Sequence, residues 1–129
     1  MTNFHLIWEK WLEKQNPEHR GLVDYYTNLL LNADHRIYPR VSYGASFLYR
    51  FGPLGYFNTD NEGLYFAFYW GKLLLDSSGA EILNRDDRKM VKLVYFNTSE
   101  DDESFIATFL QLIEEAILID EDKYGKKSK

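Results

Sequence analysis

The segment from Tyr43 to Leu75 constrains the fold of this chain more than any other. Half of all its aromatic residues fall between Tyr43 and Trp70, and the segment closes on the run Leu64-Tyr65-Phe66-Ala67-Phe68-Tyr69-Trp70-Gly71-Lys72. Flat and branched side chains of this kind favour extended, half-buried backbone. Buried aromatics also dominate core energetics, because each covers a large area. The segment therefore predicts a sheet around which the rest of the chain packs. Leu64 to Trp70 is apolar at nearly every position, which calls for burial on both faces, or for one face covered by a ligand or a partner.

The flanking patterns are helical. Phe4, Ile7, Trp8, Trp11 and Leu12 recur at helical spacing and predict a helix over residues 3–14. Asn16-Pro17-Glu18 then supplies a capping side chain, a proline whose missing N–H costs nothing at a first turn, and an acid at the positive end of the dipole. Leu22, Tyr26, Leu29, Leu30 and Ala33 form the apolar stripe of this second helix, which Asp34-His35-Arg36 and Pro39 end. Phe105, Ile106, Phe109, Leu110, Ile113, Ala116 and Ile117 mark a long C-terminal helix, opened by a Ser99–Asp102 capping pattern.

Between the helices the chain reads as strands. Val41 to Phe51 is a first strand, with Gly44 available for a bulge or a close backbone approach. Phe51-Gly52-Pro53-Leu54-Gly55 is a turn, and Tyr56-Phe57 begins the return. Asn58-Thr59-Asp60-Asn61-Glu62-Gly63 is a second turn, rich in side chains that bond their own backbone. Leu64 to Trp70 and Met90 to Phe96 complete the set, separated by an irregular stretch over residues 71–87 with a turn at Asp76-Ser77-Ser78-Gly79. Connections this short cannot hold crossover helices, so the sheet is an antiparallel meander of about four or five strands. The fold class is α+β, with two N-terminal helices and a long C-terminal helix packed against the sheet. One domain spans residues 1–121, and residues 122–129 form a charged tail.

Composition narrows function mainly by exclusion. The net charge of -5 disfavours nucleic acid and anionic membranes as partners. The absence of cysteine removes disulfides, thiolate metal sites and cysteine nucleophiles, and suits a cytoplasmic setting. Met1 to Lys14 mixes acids and lysines with apolar residues, so a signal peptide is not expected. His5, His19 and His35 are scattered, without metal-ligand spacing. Ser42 and Ser46 flank Gly44 without forming a nucleophile elbow. Gly52-Pro53-Leu54-Gly55 lacks the spacing and the donors of a phosphate cradle. Since no nucleophile, base or metal set can be assembled, the chain reads as a non-enzymatic protein without a cofactor.

Two groups of residues remain as candidate sites. Basic residues gather around the irregular stretch, at Lys72, Arg85, Arg88, Lys89 and Lys92, and alternation along the last strand places Arg88 and Lys92 on one face. With Tyr43 and Trp70, the residues Lys72, Arg88 and Lys92 would form an aromatic and basic groove for a small anionic or aromatic ligand. The other reading of these cations is exposed charge that protects an edge strand. The second group is acidic. Glu100-Asp101-Asp102-Glu103 opens the last helix and Asp120-Glu121-Asp122 closes it. Hard cations, iron included, accept carboxylate oxygens, although acids also favour a helix N-terminus for structural reasons alone.

The order Tyr69-Trp70-Gly71-Lys72-Leu73-Leu74-Leu75-Asp76, Ser77-Ser78-Gly79, Ile82-Leu83, Arg88-Lys89-Met90-Val91-Lys92-Leu93 and Ser99-Glu100-Asp101-Asp102 resembles the YdhG-like family of small bacterial domains of unknown function. Val41-Ser42-Tyr43-Gly44 resembles that family's upstream aromatic-Gly segment. The likeness runs from about Leu22 to Ile117. The chain departs from the family's pattern at Tyr43, where Trp is usual, and at Ala45-Ser46. It also differs in the longer segment Phe51–Gly55 and in Asn84-Arg85-Asp86-Asp87. The resemblance implies an α+β fold. Some family members are described as frataxin-like, so it also implies an alternative function as an intracellular iron chaperone. Glu100, Asp101, Asp102 and Glu103 would then be the residues that meet iron. A small molecule or a protein is the expected partner, and a homodimer through the broad apolar strand is a further expectation.

Overall fold

The computed structural model describes residues 9–42, 45–74, 82–83, 90–96 and 103–125. Residues 9–13 are helical. Trp11 points into the core there, as the apolar spacing predicts, and the earlier part of that expected helix lies outside the described residues. Helix α1 spans Pro17–Ala33. Its start follows the local chemistry: Asn16 accepts a hydrogen bond from the Glu18 N–H at 2.9 Å, and Pro17 occupies the first turn. Asp34 ends the helix in extended conformation, and its carboxylate accepts from the Arg36 N–H at 2.8 Å.

Five strands follow: β1 (Tyr38–Ser42), β2 (Ala45–Tyr49), β3 (Pro53–Asp60), β4 (Gly63–Phe68) and β5 (Lys92–Tyr95). They pair in sequence order, each antiparallel to the next. The expected meander is therefore correct. Its boundaries differ in three places. The single strand expected over Val41–Phe51 is the end of β1 and all of β2, with Ser42 opposite Ala45 and the turn at 43–44 outside the described residues. Pro39 lies inside β1 because β1 is an edge strand, where a missing ladder donor is tolerated. The return strand begins at Pro53, not Tyr56, and runs to Asp60, so the turn before β4 is only Asn61-Glu62. Gly63 takes φ 122°, a value that favours glycine, and the Asp60 carboxylate accepts the Glu62 N–H at 2.8 Å. Finally, β4 stops at Phe68; Tyr69 and Trp70 turn away into a short 3-10 helix, Gly71–Leu74.

Helix α2 spans Glu103–Tyr124. Asp122 to Tyr124, expected in a loose tail, continue this helix; the Ser99–Asp102 capping pattern falls outside the described residues. Both helices pack on one face of the sheet. Tyr26 from α1 stacks on Phe96 with ring centres 4.4 Å apart, and Phe109 from α2 meets Phe66 edge-on at 5.7 Å. Leu48, Phe57, Phe66, Phe68 and Val94 supply the sheet's side of this core. The chain covers the other face as well. Tyr65, Ala67 and Leu93 are buried there beneath Tyr56, Val91 and Tyr95, and Phe47 lies 4.8 Å from Tyr56. Burial on both faces accounts for the near-continuous apolar run of β4. Among the described residues no helix is long and apolar enough to cross a membrane.

Candidate functional site

The end of the sheet where β4 exits brings together three of the five groove residues. Phe68 stands opposite Lys92 in the ladder, so the chain leaving β4 passes the start of β5. The Lys72 N–H then donates to the Met90 carbonyl at 2.7 Å. Gly71 makes this approach possible: a Cβ there would stand 2.6 Å from the backbone nitrogen and Cβ of Lys92. Trp70, Lys72 and Lys92 are thus neighbours through backbone contact. Lys72 is exposed, and Lys92 is buried on the same strand face as Val94. Lys92 is therefore not the solvent-exposed edge charge of the alternative reading; its stem packs against Gly71, as a long aliphatic lysine side chain can. Tyr43 and Arg88, the other two expected members, lie outside the described residues.

Two residues that the sequence reading assigned to the tail complete this end. Lys123 places its Nζ 4.2 Å from the centre of the Trp70 ring, and Tyr124 lies 6.5 Å from the same ring. The signal for them was present in α2: Ala116, Asp120 and Lys123 continue one helical face at spacings of about three and four. Burial raises the Tyr124 phenol above its ordinary pKa, with the Trp70 indole acting in the opposite direction. The crevice beneath, between Trp70, Leu54, Phe68, Leu74 and Ile119, is apolar and too narrow to admit water. A ligand at this end must therefore rest on the rim formed by Trp70 and the lysines, not enter the core. What the arrangement offers is a flat aromatic surface with the Lys123 ammonium against it, on a protein whose net charge is -5.

Only part of the acidic candidates lies among the described residues. Glu103 is exposed in the first turn of α2, while Glu100, Asp101 and Asp102 lie outside the described residues. Asp120 is not an open cation ligand. It is buried and accepts from the Arg50 guanidinium at 3.1 Å, the Phe51 N–H at 3.1 Å and the Gly52 N–H at 2.8 Å. Its oxygens are committed to structure. Among the described residues no group of three or more histidines and acids is placed to hold a metal ion.

The chain shares its fold with a solved protein of the DUF1801 family, YdhG from Bacillus subtilis. The two align with a TM-score of 0.67 over 90% of this chain and 92% of that one, at 13% sequence identity. No family model matches the sequence, and no curated protein matches it. The YdhG-like α+β architecture expected from the motif order is therefore present in this chain.

Proposed function

We propose that this YdhG-like domain is a non-enzymatic binding protein that takes a small anionic ligand with an aromatic part at the Trp70 end of the sheet. The observation that carries this reading is the Lys123 ammonium held over the Trp70 ring, two residues before the exposed Lys72, in an acidic protein. Lysine is a compact charge that suits phosphate or carboxylate. The indole face already holds one cation, and an aromatic ligand would slide between Lys123 and Trp70, with its anionic group toward Lys72.

Nucleotides and aromatic carboxylates are the probes. A ligand that binds only the folded state raises the melting temperature, and the rise keeps growing with the logarithm of its concentration above Kd. The parent should gain a concentration-dependent rise with at least one of these probes, and Lys72→Ala with Lys123→Ala should lose it. An equal rise in parent and variant, or none in the parent, overturns the reading. The rival function has its own test. Saturable anaerobic binding of ferrous iron that Asp101→Asn with Asp102→Asn abolishes would put the iron-chaperone reading in its place.

A further inference from the structure

A groove of about 250 Å³ lies between the two long helices, lined by Leu29, Asn32 and Ala33 of α1 and by Leu110 and Glu114 of α2. The helices run in the same direction there: Tyr26 meets Phe109 edge-on at 5.2 Å, and Leu29 to Ala33 then accompany Leu110 to Glu114. Their buried faces, with Val23, Leu30, Leu112 and Ile113, are occupied by the core. Leu29 and Leu110 are left half-buried beside it, and Ala33, exposed and small, lets a neighbour come close. The groove is smaller than the ~300–1,000 Å³ of small-molecule sites, so it suits a side chain and not a metabolite. Residues 9–13 pack along another side of α1, by Asp24 and Leu31, and do not line it.

Leu118 extends this surface along α2. It is 63% exposed, more than any other large apolar side chain among the described residues. A lone exposed leucine is ordinary. This one is set in a ring of acids: the residues three and four positions from it along the helix are Glu114, Glu115, Glu121 and Asp122. Glu121 gives one oxygen to Arg50 at 3.1 Å. Glu114, Glu115 and Asp122 are exposed, and none of them has an ion-pair partner among the described residues. α2 carries no lysine or arginine before Lys123, which is turned to Trp70. An apolar centre inside a charged rim is the anatomy of a docking surface.

We infer that this face docks a basic amphipathic helix of a partner protein. One large apolar side chain of that helix enters the groove, a second rests on Leu118, and cations beside them meet Glu114, Glu115 and Asp122. The spacing agrees. Leu118 lies about 12 Å beyond Leu110 along α2, and the anchors of a docked helix recur at i and i+7, about 10 Å apart. A helix fits better than an extended peptide, which needs a sheet edge to pair with, and this face is built from helices. Charge disfavours a second copy of the chain here. A twofold contact would set Glu114 and Glu115 against their own counterparts, and like charges repel. The same acids turn away an anionic lipid surface. The face is separate from the Trp70 end, and opposite in sign.

The test is fluorescence anisotropy with a labelled synthetic peptide of about five helical turns, with leucine at helical spacing on one side and lysine on the other. Two control peptides have the same length. One has the same residues reordered so that leucine falls on every side of a helix, and the other has glutamate in place of lysine. The parent should bind the first peptide saturably and neither control. Leu118→Gln, at an exposed position, should weaken binding about tenfold and leave the urea midpoint unchanged. Glu114→Gln with Glu115→Gln should weaken binding and flatten its dependence on salt, a readout that a purely apolar contact would not move. Lys72→Ala should bind the peptide like the parent, so that failure here and failure at the Trp70 end are told apart. Equal binding of the reordered peptide overturns the inference, as does no saturation up to about 1 mM, the weak end of measurable affinity. So does unchanged affinity in both the Leu118 and the Glu114–Glu115 variants. A parent dimer that Leu118→Gln dissolves overturns it as well, since a second copy would then cover the face.

Discussion

Arg50 and Asp120 stand 70 residues apart in the chain and meet at 3.1 Å in the interior, their side chains 5% and 1% exposed. The same guanidinium reaches Asp34 and Glu121, each at 3.1 Å, and lies over the Phe51 ring at 4.7 Å. One side chain thereby ties the end of α1, the β2–β3 turn and the last turns of α2. The turn depends on it for a further reason. Two of its N–H groups, of Phe51 and Gly52, have Asp120 as acceptor, and a buried N–H without one is costly.

Asp120→Ala should therefore be among the most damaging single substitutions. Breaking a buried pair by removing one partner typically costs about 3–5 kcal/mol. Urea unfolding should show a lower midpoint with an unchanged slope. A loss under about 1 kcal/mol would mean that the turn keeps its shape without this acceptor.

Acid should loosen the same cluster from the α1 side. Burial alone would raise the pKa of Asp34, but the Arg36 N–H and the Arg50 guanidinium outweigh it and hold the carboxyl below its ordinary value of 3.8. A depressed folded pKa stabilises the fold above the unfolded value, and that contribution fades as pH falls through the folded one. The stability gap between the parent and Asp34→Asn should thus be widest near neutrality and close below about pH 4, the ordinary carboxylate range. Urea midpoints taken across that range check it. A gap that stays constant with pH would rule out a charge contribution from Asp34.

Gly71→Ala should separate the two lysine-bearing segments. The added methyl would meet the Lys92 backbone, which cannot swing aside as a side chain tip can. Overpacking of this sort costs about 1–3 kcal/mol. The Lys72–Met90 hydrogen bond should lengthen with it, and faster amide exchange at Lys72 would report that.

The contact of Lys123 with Trp70 should be measurable as a coupling. A double-mutant cycle of Lys123→Ala and Trp70→Leu should give about 0.5–1 kcal/mol of interaction, the range for a partly exposed cation on an indole. A coupling indistinguishable from zero would show Lys123 swinging free of the ring in solution.

Local chemistry was enough to read much of the architecture. Asn16-Pro17-Glu18 announces the start of α1 because each residue satisfies a need of a helix terminus on its own. The aromatic run and the Asp60–Gly63 turn announce an antiparallel sheet because side-chain alternation and turn angles act over a few residues. The segments that carry Trp70, Lys72 and Lys92 run side by side through backbone contact, with Lys92 buried.

Other features had no local sign. Pro39 looks like a terminator in the sequence and is a strand residue in the fold, because only the sheet order makes β1 an edge. Trp70 looks like strand and leaves it, because Gly71 has to pack on Lys92. Asp120 looks like one of three surface acids until Arg50 arrives from the β2–β3 turn. Torsional preference and periodicity are properties of neighbouring residues, so the chain carries them before it folds. Which buried donor meets which acceptor depends on how the strands and helices close on one core, and the tertiary structure alone decides that.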